Sequence, residues 1–471
     1  MDGHMASLPP FKKILIANRG EIALRIIRAC HELGIRTVAV HSKADEEALY
    51  VKLAKESVCI GPPLAKDSYL NIASIMAAAV ATGADAIHPG YGFLSENAAF
   101  AEICGSCGIT FIGPTVRNMR VMGDKARARR AADKVGVPTI PGDSKGFLEA
   151  SQAIKVAEKA GFPVLLKACA GGGGRGMKIV NSAEEFREMF GTAQREVEAA
   201  FGDGHLLVEK YLPKVRHIEV QIAGDHFQNM IHLGIRDCSI QRRYQKIIEE
   251  SPSIGLPLSL QEKIQEAAVE LGRSVNYSSL GTVEFLVDLE REQFYFIEMN
   301  TRLQVEHPVT EMLTDTDLVK EQIRIAAGLE LGIEQKDVKF SGHVIEARIN
   351  AEDARTLIPS PGKIVSYHPP GGHGVRVDSA LYSGYRVQPY YDSLIAKLIV
   401  KSVDRSSCIQ KLLVALDEFI IEGINTNIDL HRKILEHPSF QSGDFYTKFL
   451  DNTNFFLRSE DKCSEPLSAS L

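Results

Sequence analysis

A chain of 471 residues, 45% hydrophobic and 24% charged, is large enough for two or three cores and has the make-up of a globular enzyme. Its net charge of −6 lacks the basic excess of a nucleic-acid binder, so no nucleic-acid partner is expected. The best apolar stretch, residues 72–87, is broken by Gly83 and Asp85, and no signal-peptide layout opens the chain, so no membrane partner is expected.

Residues 1–7 read as a tag remnant, and the polar stretch after Phe456 as a frayed tail. Eight cysteines are scattered without a dense framework, which favours free thiols in a reducing, cytoplasmic setting. Cys104 and Cys107 form a C-x-x-C, but no second pair or His cluster stands at metal-ligand spacing. They read as small buried thiols near a helix end.

In chain order, residues 13–17 form an apolar strand, 21–33 have helical periodicity, and 36–41 are strand-like again. Residues 86–88 and 110–113 are further strand candidates. Strands alternating with helices imply an α/β unit with a parallel sheet and right-handed crossovers. His88-Pro89-Gly90-Tyr91-Gly92 falls where such a sheet presents its ligand-facing loops.

From about residue 136 the texture becomes α+β. Strands at 164–167 and 177–180 flank a glycine run, a helix follows at 183–199, and strands recur at 206–210 and 217–222. In the last of these, alternation turns Ile218, Val220 and Ile222 inward. From about residue 343 a strand (343–350) leads into turns at Pro359-Ser360-Pro361-Gly362 and Pro369-Pro370-Gly371-Gly372, with a helix at 406–418. No internal repeat is evident.

The run Ala170-Gly171-Gly172-Gly173-Gly174-Arg175-Gly176 has no side chains to keep the backbone from closing over phosphates and donating N–H bonds. It is neither a Walker loop nor a dinucleotide fingerprint, and a passive flexible hairpin is the competing reading. Lys167, ending the strand before the run, is placed to meet phosphate charge; Lys125, in Met122-Gly123-Asp124-Lys125, is a second candidate. Either lysine alone is more often a solvated surface group.

The strongest chemistry lies between Gly281 and Glu306. Two strand-like segments, 281–286 and 294–300, flank a charged turn centred near Arg291, so antiparallel pairing sets Glu284 opposite Glu298. Period-two alternation puts Phe294, Phe296, Glu298 and Asn300 on one face. Facing carboxylates on an apolar hairpin repel and lose solvation; a bound cation would resolve both problems, unless a slipped register turns one glutamate to solvent. Two carboxylates and an Asn amide suit magnesium or manganese completed by nucleotide phosphates. Just after them, Arg302 offers a planar fork for a small oxyanion, and Glu306 a carboxylate able to take a proton. On residues alone, this is a magnesium–nucleotide enzyme acting on a small anion.

The runs Ile16-Ala17-Asn18-Arg19-Gly20-Glu21-Ile22-Ala23, 88–97, 236–245, 298–311 and Arg348-Ile349-Asn350-Ala351-Glu352-Asp353 resemble biotin carboxylase signatures, over about residues 11–450. The resemblance implies a Rossmann-like pre-ATP-grasp domain (8–122), an ATP-grasp domain (123–335) with a glycine-rich lid (139–211), and a C-terminal biotin carboxylase domain (343–450). It implies that Lys125, Lys167, Gly172, Gly173, Gly174, His217 and Gln241 contact ATP, with Glu209, Lys210 and Leu212 bordering the adenine. Glu284, Glu298 and Asn300 would hold two Mg2+ or Mn2+ ions. Lys246, Arg302, Gln304 and Val305 would position bicarbonate, Glu306 would be its base, and Arg348 would stabilise the biotin anion. Without the resemblance, His217 reads as a strand-end histidine bonded to backbone and Arg348 as a surface ion pair.

The implied reaction is ATP-dependent carboxylation of biotin through carboxyphosphate, as the first half-reaction of acetyl-CoA carboxylase or of a pyruvate or other acyl-CoA carboxylase. Biotin would arrive on a carrier protein, and a separate carboxyltransferase would use the product. A homodimer is expected, with Arg25, Arg28 and Glu32 as contacts. Tyr244 stands where family members usually carry His, which predicts altered ATP affinity rather than lost activity. The rivals are a non-catalytic nucleotide-binding paralogue and another ATP-grasp ligase, such as a carbamoyl-phosphate or amino-acid ligase.

Overall fold

The computed structural model describes residues 10–169, 177–453 and 455; the expected tag remnant, the glycine run with Gly172, Gly173 and Gly174, and the tail after Phe456 lie outside these. The N-terminal sheet is parallel throughout, built from β1 (Lys13–Ile16), β2 (Arg36–Ser42), β3 (Glu56–Gly61), β4 (Ala86–His88) and β5 (Thr110–Phe111) in the order β3-β2-β1-β4-β5. Ile14, Leu15 and Ile16 are all fully buried, as strands covered on both faces require. Strand β3 escapes a reading by periodicity because it is an edge whose Glu56 and Cys59 begin and interrupt the apolar run.

Chain order reverses between β1 and β4, which opens a crevice at their carboxyl ends. Asn18 stitches the two loops there: its Nδ2 donates to Pro89 O at 2.6 Å and to Tyr91 O at 2.7 Å. Helix Gly20–Glu32 leaves this crevice and buries Arg25, whose Nη2 donates to Glu311 Oε1 and Asp317 Oδ1, both at 2.7 Å. Arg25 is therefore committed to carboxylates inside the chain. Arg28 and Glu32 are exposed, and Glu32 pairs with Lys320 at 2.6 Å. The C-x-x-C expectation is half right: Cys104 is buried, but Cys107, past the end of helix Ala98–Ser106, is exposed.

The second unit is a small antiparallel sheet of β6 (Gly142–Phe147), β7 (Val164–Ala168), β8 (Lys178–Val180) and β9 (Leu206–Lys210), ordered β6-β9-β7-β8. Helices Ala150–Ala160 and Ala183–Phe201 bury Ala153, Ala157, Phe186, Phe190 and Val197 against it. The glycine run joins β7 to β8.

The largest sheet begins with β10 (Arg216–Gly224), β11 (Met230–Arg242), β12 (Gln245–Ser251), β13 (Ser279–Asp288), β14 (Gln293–Asn300) and β15 (His343–Asn350). Further strands are β16 (Gly362–Lys363), β17 (Ser366–His368), β18 (Val375–Ser379), β19 (Arg386–Val387), β20 (Leu394–Ser402) and β21 (Ile420–Glu422). Its order is β14-β13-β10-β11-β12-β15-β20-β18, so the C-terminal strands continue the central sheet through the β12–β15 ladder.

Both faces of this sheet are covered. Ile218, Val220 and Ile222 turn into an apolar layer with helix Leu258–Ser274, as alternation predicts. Glu219 and Gln221 on the opposite face are also fully buried, beneath helix His307–Thr314, whose Thr310 Oγ1 accepts from Arg236 Nη1 at 2.7 Å. The buried charged residues Glu219 and Arg236 lie on this second, polar face. Among the described residues no helix is long and apolar enough to cross a membrane.

Candidate active site

Strand register builds the centre of the site. Glu298 pairs with Glu284, Glu284 with Glu219, and Glu219 with Arg236, so four strands bring four charged residues into one row. The expected pairing of Glu284 with Glu298 is present, but the expected shared face is not. A bulge leaves Ile297 unpaired, and Phe285 pairs with Phe296. Phe294 and Phe296 therefore turn into the apolar core against Phe285, while Glu298 and Asn300 stay on the polar face. One extra residue lets the same strand serve a dry core and a charged site.

Lys246 Nζ lies 2.6 Å from Glu219 Oε2, 3.0 Å from Glu284 Oε1 and 2.6 Å from Glu306 Oε1. Burial alone would lower its pKa, but the three carboxylates outweigh burial and hold the ammonium well above the ordinary lysine range. Glu306 is fully buried, and its second oxygen accepts from Arg348 Nη2 at 2.8 Å. Burial works to raise its carboxyl; Lys246, Arg348 and Arg236 reverse that and hold it well below the carboxylate range. Arg348 also donates Nε to Glu249 Oε1 at 2.6 Å, so it belongs to a buried network rather than to the surface.

His217 bonds side chains rather than backbone through its ring. Gln241 Nε2 donates to Nδ1 at 2.7 Å, which leaves Nε2 to donate to Glu284 Oε2 at 2.9 Å. Glu284 also accepts from Asn300 Nδ2 (2.9 Å) and Gln304 Nε2 (3.1 Å). Its charge is thus met by protein donors, so the pair does not need a cation on that side. Glu298 differs: burial first, then the Glu284 charge, push its carboxyl up, with Lys125 and His217 pulling the other way. A buried carboxylate facing a second one, with an amide beside them, is a donor set that fits magnesium or manganese.

Arg302 is anchored by Glu96 (Nε to Oε2, 3.0 Å), Gln304 (Nη1 to Oε1, 2.5 Å) and Asn300 (Nη2 to Oδ1, 3.0 Å). Its planar group is therefore fixed at the rim of the Lys246–Glu306 cage. The Val305 carbonyl is held by the fully buried Lys397 at 2.9 Å.

Lys167 pairs with Glu209 at 2.6 Å between β7 and β9. Burial, then the neighbouring Lys167 charge, hold Lys125 below the ordinary lysine range. A lysine depressed by a neighbouring ammonium is relieved by an anion placed beside it, as a phosphate group would supply. Lys210 Nζ donates to Gly161 O (2.8 Å) and Phe162 O (3.0 Å), and the nearby Leu212 is buried. Tyr244 is 55% exposed at the β11–β12 hairpin tip, where Arg243 and Tyr244 both take positive φ.

Reading by motif missed Glu96, Glu219, Arg236, Glu249 and Lys397. The available signal was a charged residue inside an apolar strand, as in Ile218-Glu219-Val220, but a single strand does not reveal that both its faces are covered.

Three family models cover nearly the whole chain: "Biotin carboxylase, N-terminal domain" at 10–119, "Carbamoyl-phosphate synthase L chain, ATP binding domain" at 124–334, and "Biotin carboxylase C-terminal domain" at 346–452. The chain is 53% identical over 442 residues to biotin carboxylase 1 of Bacillus subtilis (strain 168), spanning 93% of this chain and 98% of that one. A solved biotin carboxylase–β,γ-ATP complex from Campylobacter jejuni superposes with a TM-score of 0.91 at 49% identity, covering 94% of this chain and 99% of that one. The biotin carboxylase domain dimer of Hydrogenobacter thermophilus 2-oxoglutarate carboxylase, solved with MgADP, ADP and bicarbonate, gives 0.90 at 48% identity, covering 95% and 99%.

Proposed function

The chain belongs to the biotin carboxylase family of ATP-grasp ligases, and from that membership we propose that it carboxylates carrier-borne biotin with ATP and bicarbonate through carboxyphosphate. The observation that carries the reading is the buried Glu306 carboxylate clasped by Lys246 and Arg348, with Arg302 at its rim.

In this reading Arg302, Gln304 and the Val305 backbone orient bicarbonate against Lys246. The cations that keep Glu306 ionised also make it a weak base; an anion that draws Lys246 to itself restores its basicity. Glu306 then takes the bicarbonate proton, and the freed oxygen attacks the γ-phosphorus while the bond to the β-phosphate oxygen breaks, giving carboxyphosphate and ADP. Lys125, Lys167 and His217 bind the nucleotide, and Glu209, Lys210 and Leu212 border its base. Magnesium held by Glu284, Glu298 and Asn300 would neutralise charge on the transferred phosphoryl group. Carboxyphosphate breaks down to carbon dioxide and phosphate, phosphate takes the N1′ proton of biotin, and Arg348 favours the resulting anion as it captures carbon dioxide.

The functional units are taken as 8–122, 123–335 with the lid at 139–211, and 343–450. The parent system is taken as a cytoplasmic acetyl-CoA carboxylase, with biotin on a carrier protein, a separate carboxyltransferase choosing the acceptor, and a second copy of this chain as partner. A similar domain serves a 2-oxoglutarate carboxylase, so the acceptor is chosen outside this fold.

The test is ADP release with and without bicarbonate and free biotin, for the wild type and Glu306→Gln. Dependence on both substrates, lost in the variant, is expected. Turnover that ignores bicarbonate overturns the reading.

A further inference from the structure

Behind Arg348 lies a second pair of facing carboxylates. Glu249 on β12 and Glu346 on β15 are direct cross-strand partners, and neither exposes any surface. Arg348, two residues beyond Glu346 and so on the same face, is bonded to Glu249 Oε1. Glu249 Oε2 and both oxygens of Glu346 are buried without a hydrogen-bond partner among the described residues. Carboxylates carry only acceptors, so two of them face to face can neither bond one another nor both stay charged. One proton between them gives a donor to one orphaned oxygen and an acceptor to that donor.

The surrounding charges leave no spare cation to replace that proton. From β20, Lys397 is committed to Val305 O and to Glu21 Oε1, at 3.1 Å. From β12, Lys246 is committed to Glu219, Glu284 and Glu306. Glu306, from the loop before helix His307–Thr314, adds negative charge, and Cys238 on β11 is held as a thiol by burial and by Glu219. Burial, with Lys397 behind it, keeps His307 neutral, and His431 is neutral by burial while its Nε2 bonds Arg348 O. Tyr91, bonded to Glu21, also faces Glu346. Among the described residues Arg348 alone hydrogen-bonds the pair, and it is shared with Glu306; Lys397 and Lys246 act on the pair through space only.

We propose that Glu249 and Glu346 share one proton and act together as positioning residues for Arg348. With the proton in place, one negative charge stands behind the guanidinium, which can serve Glu306 and a substrate anion in front. With both ionised, two charges draw it backward. Burial pushes the Glu249 carboxyl up to about 7 and holds Glu346 well above the ordinary carboxylate range, the direction this arrangement requires. The inference rests on the role given above to Arg348.

The test is the pH profile of biotin-dependent ADP release for wild type and Glu346→Gln, with infrared titration of 13C-glutamate-labelled wild type. In the wild type kcat falls about tenfold per pH unit on the alkaline side as the second carboxylate ionises, while KM for ATP holds. Glu346→Gln, neutral at every pH, loses that alkaline limb. The wild-type infrared spectrum carries a buried protonated-carboxyl band that titrates with the limb. An alkaline limb unmoved in Glu346→Gln overturns the proposal, as does the absence of such a band. A missing band overturns the pair without any folded variant, and does so even if bicarbonate-dependent turnover, and with it the proposed function, fails.

Discussion

Arg348 Nη2 donates to Glu306 Oε2 at 2.8 Å, so the group assigned to the biotin anion and the group assigned to bicarbonate share one carboxylate. Lys246 holds the other oxygen of Glu306 at 2.6 Å. In the proposed reaction the two halves meet at Glu306, and changes on either side are expected to separate kinetically.

Arg348→Ala removes a charged donor aimed at the biotin side while Lys246 keeps Glu306 ionised. Biotin-dependent ADP release falls by about 10²–10³. Any residual bicarbonate-dependent turnover without biotin falls by about tenfold or less. Parallel assays with and without biotin check the split.

Lys246→Met leaves Glu219, Glu284 and Glu306 without their common ammonium inside the protein. Breaking a buried ion network by removing one partner costs about 3–5 kcal/mol. Urea unfolding of the wild type and the variant measures the loss.

Glu298→Gln removes a carboxylate that burial and Glu284 already disfavour. The metal-free variant is at least as stable as the wild type in thermal unfolding with EDTA. Its activity, in contrast, needs at least about tenfold more magnesium, because an amide replaces a charged ligand. A magnesium titration of ADP release reads the second effect.

Acid stability follows from two histidines buried in neutral form. Burial lowers His88 to about 3, with Arg25 adding to it, and lowers His431 to about 4, against the pull of its bond to Arg348 O. Folded values below the unfolded value mean stability is fully present above pH ~6.5 and lost as pH falls toward the folded values. For His431 the shift amounts to roughly 3 kcal/mol. Unfolding free energy measured stepwise from pH 7 to 4 should fall steadily, and His431→Gln should flatten part of the slope.

Tyr244→His changes a half-exposed side chain at a hairpin tip, beside Tyr211, Lys448 and Asp451. Unfolding stability stays within about 0.5 kcal/mol, as for exposed positions generally. KM for ATP shifts severalfold with kcat retained, which steady-state kinetics at saturating bicarbonate would show.

Much of the organisation was legible in the chain because it is local. Apolar periodicity located β1, β2, β4, β9 and β15 within a residue or two, and the turn near Arg291 set Glu284 against Glu298. Bulges, sheet order and covered faces are not local. Ile297 turns Phe296 away from Glu298 only because Phe285 offers it a dry partner in the core. Glu219 joins the buried charge cluster because helix His307–Thr314 closes over its face, and Arg25 is buried because Glu311 and Asp317 fold onto it. The sequence by itself determined which side chains carry charge and where along each strand they stand. The tertiary structure decided which of those charges share a buried, low-dielectric cage, because only packing from distant segments removes the water that would otherwise screen them.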